Sequence, residues 1–97
     1  MREEPPLLAK TYRVRGRVQG VGFRWFVERE AQTLAIAGWV RNRSDGTVEA
    51  LVSGPTKAVE LFVSHATKGP YGAKVTAVDL HNSEPPKEKG FAVRPTL

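Results

Sequence analysis

A change of hydrophobic period near residue 20 constrains the fold of this chain more than any other feature. From Lys10 to Val18 the residues alternate strictly: Tyr12, Val14, Gly16 and Val18 share one face, and Arg13, Arg15 and Arg17 share the other. Successive side chains of an extended strand point to opposite faces, so a period of two marks a strand with one buried side and one wet, basic side. At Phe23 the period lengthens. Phe23, Phe26, Val27, Ala31 and Leu34 follow helical spacing, with Arg24, Glu28, Arg29 and Gln32 mostly elsewhere on the wheel, which predicts a helix from Phe23 or Arg24 to Ala35. Between strand and helix lies Gln19-Gly20-Val21-Gly22, a turn with two glycines in three positions.

The rest of the chain repeats these two signatures. Gly38 to Asn42 and Thr47 to Val52 read as strands, and Ser44-Asp45-Gly46 between them supplies turn chemistry that tolerates positive φ, so the pair forms a hairpin. Gly54-Pro55 stops the second of these strands, and Pro55 suits the first turn of a helix. Val59, Phe62, Val63 and Ala66 form the apolar stripe of that helix, which Gly69-Pro70 terminates. Val75 to Leu80 is a further strand, Ser83 to Gly90 a polar loop, and Phe91 to Arg94 a last short strand.

The order is β-α-β-β-α-β with an added C-terminal strand, which places the chain in the α+β class. The expected arrangement is a ferredoxin-like sandwich, an antiparallel sheet with both helices packed on one face. In that topology the first and third strands are central and the second pairs with the third. Trp39 and Phe62 are expected in the core. Residues 1–8, charged and proline-bearing at the start, read as a flexible leader, and residues 9–97 as a single domain. An apolar share of 40% over 97 residues supplies one hydrophobic core but not two.

Composition then narrows the chemistry. The chain has no cysteine, which excludes a disulfide framework, a thiolate nucleophile and zinc–cysteine ligation, and fits an intracellular, cytoplasmic setting. No apolar run approaches the roughly 18 residues of a membrane-spanning helix. The net charge of +5 favours anionic partners without separating nucleic acid from a small phosphate compound. No Gly-Lys-Ser/Thr follows the glycines, so the turn is not a Walker loop. A dinucleotide fingerprint would need a third glycine where Trp25 stands.

What remains is a strand–glycine–helix turn. Successive N–H groups at a helix N-terminus, approachable because glycine has no side chain, can cradle an anion, though the same spacing also serves a plain tight turn. Arg24 opens the helix, where its charge opposes the positive end of the helix dipole unless an anion sits beside it. Its forked guanidinium suits phosphate or carboxylate. His65 and His81 lie in different elements with no carboxylate at ligand spacing and read as surface residues. Glu28 and Glu30 are two apart on a helix and form no acid–base pair. Ser44 and Ser53 lack a partnered base. Asn42 ends the second strand, which comes within reach of the glycine loop; its amide could hold a water there or simply favour the turn.

These residues resemble the acylphosphatase family. The resemblance is carried by Gly16-Arg17-Val18-Gln19-Gly20-Val21-Gly22-Phe23-Arg24, by Gly38-Trp39-Val40-Arg41-Asn42 and by Asp45-Gly46-Thr47-Val48-Glu49, with Gly54-Pro55, Lys68-Gly69-Pro70 and Val75 beyond, and it spans about Tyr12 to Val93. It implies a metal-independent hydrolase, without cofactor, that cleaves acyl phosphates to a carboxylate and inorganic phosphate. It implies that the backbone of Gln19, Gly20, Val21, Gly22, Phe23 and Arg24 cradles the phosphate, that Arg24 pairs with its oxygens and that Asn42 orients the attacking water. The implied ligands are the acyl phosphate, inorganic phosphate or other anions; the chain itself is expected to be a monomer with no nucleic-acid or membrane partner. Two positions depart from the family pattern. Many relatives carry glycine where Ala35 stands, so Ala35-Ile36-Ala37 is expected to close the first helix without a left-handed turn. Arg43 stands where animal relatives have threonine, which leaves open how that position supports Asn42.

Two other classes compete with the enzyme. RNA-recognition motifs share the element order, but they stack bases on aromatics of the first and third strands, where this chain carries Arg13, Arg15 and Arg17 and no aromatic from Thr47 to Val52. A domain that binds phosphate or carbamoyl phosphate for regulation, as similar modules within larger maturation proteins do, fits the same loop.

Overall fold

The computed structural model describes residues 7–97. In chain order the elements are β1 (Leu7–Arg17), α1 (Phe23–Thr33), β2 (Ala37–Asn42), β3 (Val48–Pro55), α2 (Thr56–Lys68), β4 (Lys74–Asn82) and β5 (Phe91–Val93). The sheet order is β4-β1-β3-β2-β5, with β1 and β3 central and β2 against β3, as the sequence predicts. β1 runs antiparallel to both β3 and β4, and β2 antiparallel to β3. β5 differs from the expected antiparallel sheet: it pairs parallel to β2, with Gly38 opposite Phe91 and Val40 opposite Val93. A parallel neighbour cannot be joined by a tight turn. Here the polar 83–90 segment carries the chain from β4 at one edge to β5 at the other.

The core forms where the two periodicities meet. Tyr12 and Val14 of β1, Val40 of β2, and Val48, Ala50 and Val52 of β3 are fully buried, and they cluster with Phe23, Val27 and Ala31 of α1 and Val59, Phe62 and Ala66 of α2. Both helices therefore lie on one face of the sheet. The Tyr12 and Phe62 rings meet edge to face at 5.9 Å. The Tyr12 hydroxyl donates to the Ala66 carbonyl. The helical partner of that carbonyl would be the N–H of residue 70, but Pro70 has none, so the phenol satisfies an acceptor that the sequence leaves orphaned.

Several local expectations are corrected. β1 begins at Leu7, so Leu7 and Leu8, assigned to the leader, are strand residues opposite Pro55 and Gly54; residues 1–6 lie outside the described residues. Pro55 ends β3 and precedes α2 with extended backbone (φ −55°, ψ 140°), outside the first helical turn. α1 stops at Thr33, two residues early. Ala35 then takes the left-handed conformation that it was expected to avoid, with φ 55°, while the Ile36 N–H donates to the Ala31 carbonyl at 2.8 Å. Burial of Ile36 and Ala31 holds the turn in that form.

Trp39 is not core. The pleat points Val40 at the helices and Trp39 at the open face, where the Arg41 and Arg94 guanidinium groups lie 4.6 and 5.0 Å from its ring centroid. The arginine side of β1 is likewise more than a solvated surface. Glu49 accepts from Arg13 (3.3 Å) and Arg41 (3.1 Å), with Arg43 at 3.4 Å, so three guanidinium groups share one carboxylate. Among the described residues no helix is long and apolar enough to cross a membrane.

Candidate active site

The glycine turn is fixed at both ends by burial and in its middle by a side chain. Val18 before it and Phe23 after it are each 1% exposed, and Val21 packs against the core. Gln19 Nε2 donates to the Arg43 carbonyl at 2.8 Å and to the Thr47 carbonyl at 3.0 Å, tying the loop to the β2–β3 hairpin. Gly20 and Gly22 adopt φ of 73° and 78°, a region that L side chains rarely enter. A Cβ on either would meet nothing within 4 Å. Backbone direction and open access, not crowding, therefore call for glycine at these two positions.

The mouth of α1 has no protein cap among the described residues. Gly22 precedes the helix with no side-chain cap, and no acidic residue lies in its first turn. The first helical hydrogen bond runs from the Phe26 N–H to the Gly22 carbonyl at 3.0 Å, which leaves the N–H groups of Phe23, Arg24 and Trp25 without a helical partner. Among the described residues neither the Arg24 guanidinium nor the Asn42 amide has a hydrogen-bond or ion-pair partner. Both line one cavity of about 330 Å³ together with Val18, Gly20, Gly22 and Phe23. A guanidinium, a side-chain amide and unpaired N–H groups on the positive end of a helix thus converge on a single concave space.

Asn42 is positioned through its backbone. It pairs with Val48 on one side, and on the other its carbonyl accepts from the Leu97 N–H at 3.2 Å. The hairpin beyond is closed by Asp45 Oδ1, which accepts from the Thr47 hydroxyl at 2.6 Å and the Thr47 N–H at 3.0 Å. Those bonds, the hydroxyl's first, hold the Asp45 carboxyl below its usual pKa. Arg43 supports this region through main-chain atoms: its N–H donates to the Thr47 carbonyl at 2.8 Å and its carbonyl receives Gln19, while its side chain turns to Glu49.

Of the residues expected at the site, Gly20, Gly22, Phe23, Arg24 and Asn42 are brought together. Gln19 and Val21 do not line the cavity; one anchors the loop and the other packs beneath it. Four lining residues lie outside the set expected from the sequence: Val18, Trp25, Glu28 and Val93. Glu28 lies one turn beyond Arg24 and so on the same helix face, a signal that was available. Val93 could not be placed without the parallel pairing of β5. His65, at 45% side-chain exposure, contacts Glu30 at 3.2 Å and takes no part in the cavity.

Comparison with known proteins gives the family. The acylphosphatase family model matches residues 10–93. The acylphosphatase of Azoarcus sp. (strain BH72) is 50% identical over 90 residues, covering 93% of this chain and 92% of the relative. The crystal structure of the Bacillus subtilis acylphosphatase superposes with a TM-score of 0.85 at 42% identity, covering 90% of this chain and 98% of that one. Full-length HypF, solved in a phosphate- and nucleotide-bound form, contains a similar unit: TM-score 0.88 and 29% identity over 97% of this chain but only 13% of its own length. The chain belongs to the acylphosphatase family, hydrolases of acyl phosphates.

Proposed function

We propose that this chain hydrolyses acyl phosphates in the cavity at the mouth of α1, with Arg24 holding the phosphoryl group and Asn42 orienting the water. The observation that carries the assignment is the convergence on one cavity of a guanidinium, an amide and uncapped helix N–H groups that have no partner among the described residues. The substrate phosphate enters with its oxygens toward the N–H groups of Gly20 to Arg24 and the Arg24 fork. Water polarised by the Asn42 carboxamide attacks phosphorus in line with the departing acyl oxygen. The P–O bond to the acyl group breaks, the carboxylate leaves with the bonding pair, and a proton of the water passes to a phosphate oxygen: R–CO–O–PO₃²⁻ and H₂O give R–COO⁻ and H₂PO₄⁻.

Such a loose transition state demands positioning and charge stabilisation more than covalent help. A carboxylate leaving group needs no proton, so the reaction calls for no general acid. We further read the chain as a cytoplasmic monomer acting without nucleic acid. That reading is supported by the lack of cysteine and by the open sheet face, where guanidinium groups are already engaged by Glu49 and by Trp39.

Benzoyl phosphate hydrolysis by the purified chain, with EDTA present, tests the proposal. Turnover should survive the chelator and fall about 10²- to 10³-fold in kcat/KM in Arg24→Ala, the scale of losing one preorganised charge donor. A folded wild-type protein without turnover, or a variant as active as wild type, would refute it.

A further inference from the structure

We propose that the cavity wall beyond Arg24, formed by Trp25 and Val93 with Glu28 at its side, is an acyl-group subsite that selects uncharged aromatic or apolar acyl phosphates. The inference rests on the acyl phosphate hydrolysis proposed above. A phosphate group fills only a fraction of about 330 Å³, and the remaining wall is largely apolar. Trp25 is 60% exposed and Val93 43% exposed, so folding leaves two large apolar side chains in water where they flank the phosphate cradle. A single exposed tryptophan needs no explanation. Here, however, the two come from separate elements, α1 and β5, and meet at the cavity that holds Arg24 and Asn42. The Arg29 guanidinium lies 4.8 Å from the Trp25 ring centroid and restrains the ring.

The charge of the wall sets the second half of the selection. Glu28 lines the same cavity and has no hydrogen-bond or ion-pair partner among the described residues. Arg24 is the cation among the lining residues, and it is taken by the phosphate; the Arg29 guanidinium stacks on Trp25 and does not line the cavity. A second negative charge on the acyl group would therefore face the Glu28 carboxylate with no further cation in the cavity lining, whereas a phenyl or alkyl group would cover Trp25 and Val93 and release their water. Binding energy from such a remote part of the substrate also helps to align the phosphoryl group for attack.

The test compares benzoyl, acetyl and 4-carboxybenzoyl phosphates as substrates of the wild type, Trp25→Ala, Trp25→Phe and Glu28→Gln. The wild type should prefer benzoyl over acetyl phosphate. Trp25→Ala should lower that ratio of kcat/KM about two- to tenfold, through KM, the worth of one aromatic contact. Trp25→Phe should keep most of it, which a merely structural role for the indole would not predict. Glu28→Gln should raise 4-carboxybenzoyl relative to benzoyl phosphate about two- to fivefold, as expected for one screened charge pair. Ratios in Trp25→Ala and Glu28→Gln equal to wild type, with all substrates turned over, would overturn the subsite alone. No turnover of any acyl phosphate by the wild type would instead overturn the proposed function beneath it.

Discussion

Removing the Tyr12 hydroxyl while keeping its ring isolates one buried hydrogen bond. In Tyr12→Phe the edge-to-face contact with Phe62 remains and no cavity opens, but the Ala66 carbonyl loses its donor. The local sequence offers no replacement, because the residue four positions on is Pro70. Tyr12 is 0% exposed, so water does not reach the site either. An acceptor stranded in this way costs about 1–3 kcal/mol, which for a domain of this length lowers Tm by roughly 5–20 °C. Urea unfolding monitored by circular dichroism should show the midpoint fall at an unchanged m-value, since the surface exposed on unfolding hardly differs.

Alkaline pH supplies an independent check on the same bond. Burial raises the Tyr12 pKa above its ordinary value of 10.0. The unfolded chain therefore releases the phenolic proton first, so the stabilisation is complete below pH 10.0 and is lost as the pH climbs from there toward the folded value. Wild type and Tyr12→Phe should converge in stability above that point. A loss under about 0.5 kcal/mol near neutral pH, or an identical alkaline slope in both proteins, would refute the view that Tyr12 completes the end of α2.

Two further perturbations probe the turns that flank the site. Ala35→Gly relieves a left-handed alanine and should raise stability by about 0.5–1 kcal/mol, after allowing for the added freedom of the unfolded chain; an unchanged or lower Tm would contradict the strain at φ 55°. Gln19→Leu removes both bonds from the loop to the hairpin carbonyls and should destabilise the protein by about 1–2 kcal/mol. The same change should weaken inhibition by inorganic phosphate, and intact inhibition would show that the loop holds its form without the hairpin.

Residues whose role follows from periodicity or local chemistry were legible in the sequence. Tyr12, Val14, Phe23, Val27 and Phe62 announce the core, and the glycine turn with Arg24 announces the mouth of α1. What was hidden depends on neighbours distant in the chain. Trp39 reads as a core aromatic because its strand is apolar; only the pleat, with Val40 inward, turns it to the open face. The parallel pairing of β5 is set by the path of the 83–90 segment across the sheet, so Val93 could not be assigned to the cavity. Gln19 belongs to the loop motif by position, yet its side chain serves the loop from outside, through carbonyls 24 and 28 residues away. Ala35 shows a local preference yielding to its surroundings, since burial of Ile36 and Ala31 outweighs the cost of a left-handed alanine.

The proposed chemistry divides between two residues, with Arg24 binding the phosphate and Asn42 placing the water. The two roles separate when kcat for benzoyl phosphate and the inhibition constant of inorganic phosphate are both determined in Arg24→Ala and Asn42→Ala. Asn42→Ala should lower kcat on the order of 10²-fold with phosphate inhibition nearly intact, and Arg24→Ala should lose both. Equal loss of phosphate inhibition in the two variants would contradict that division.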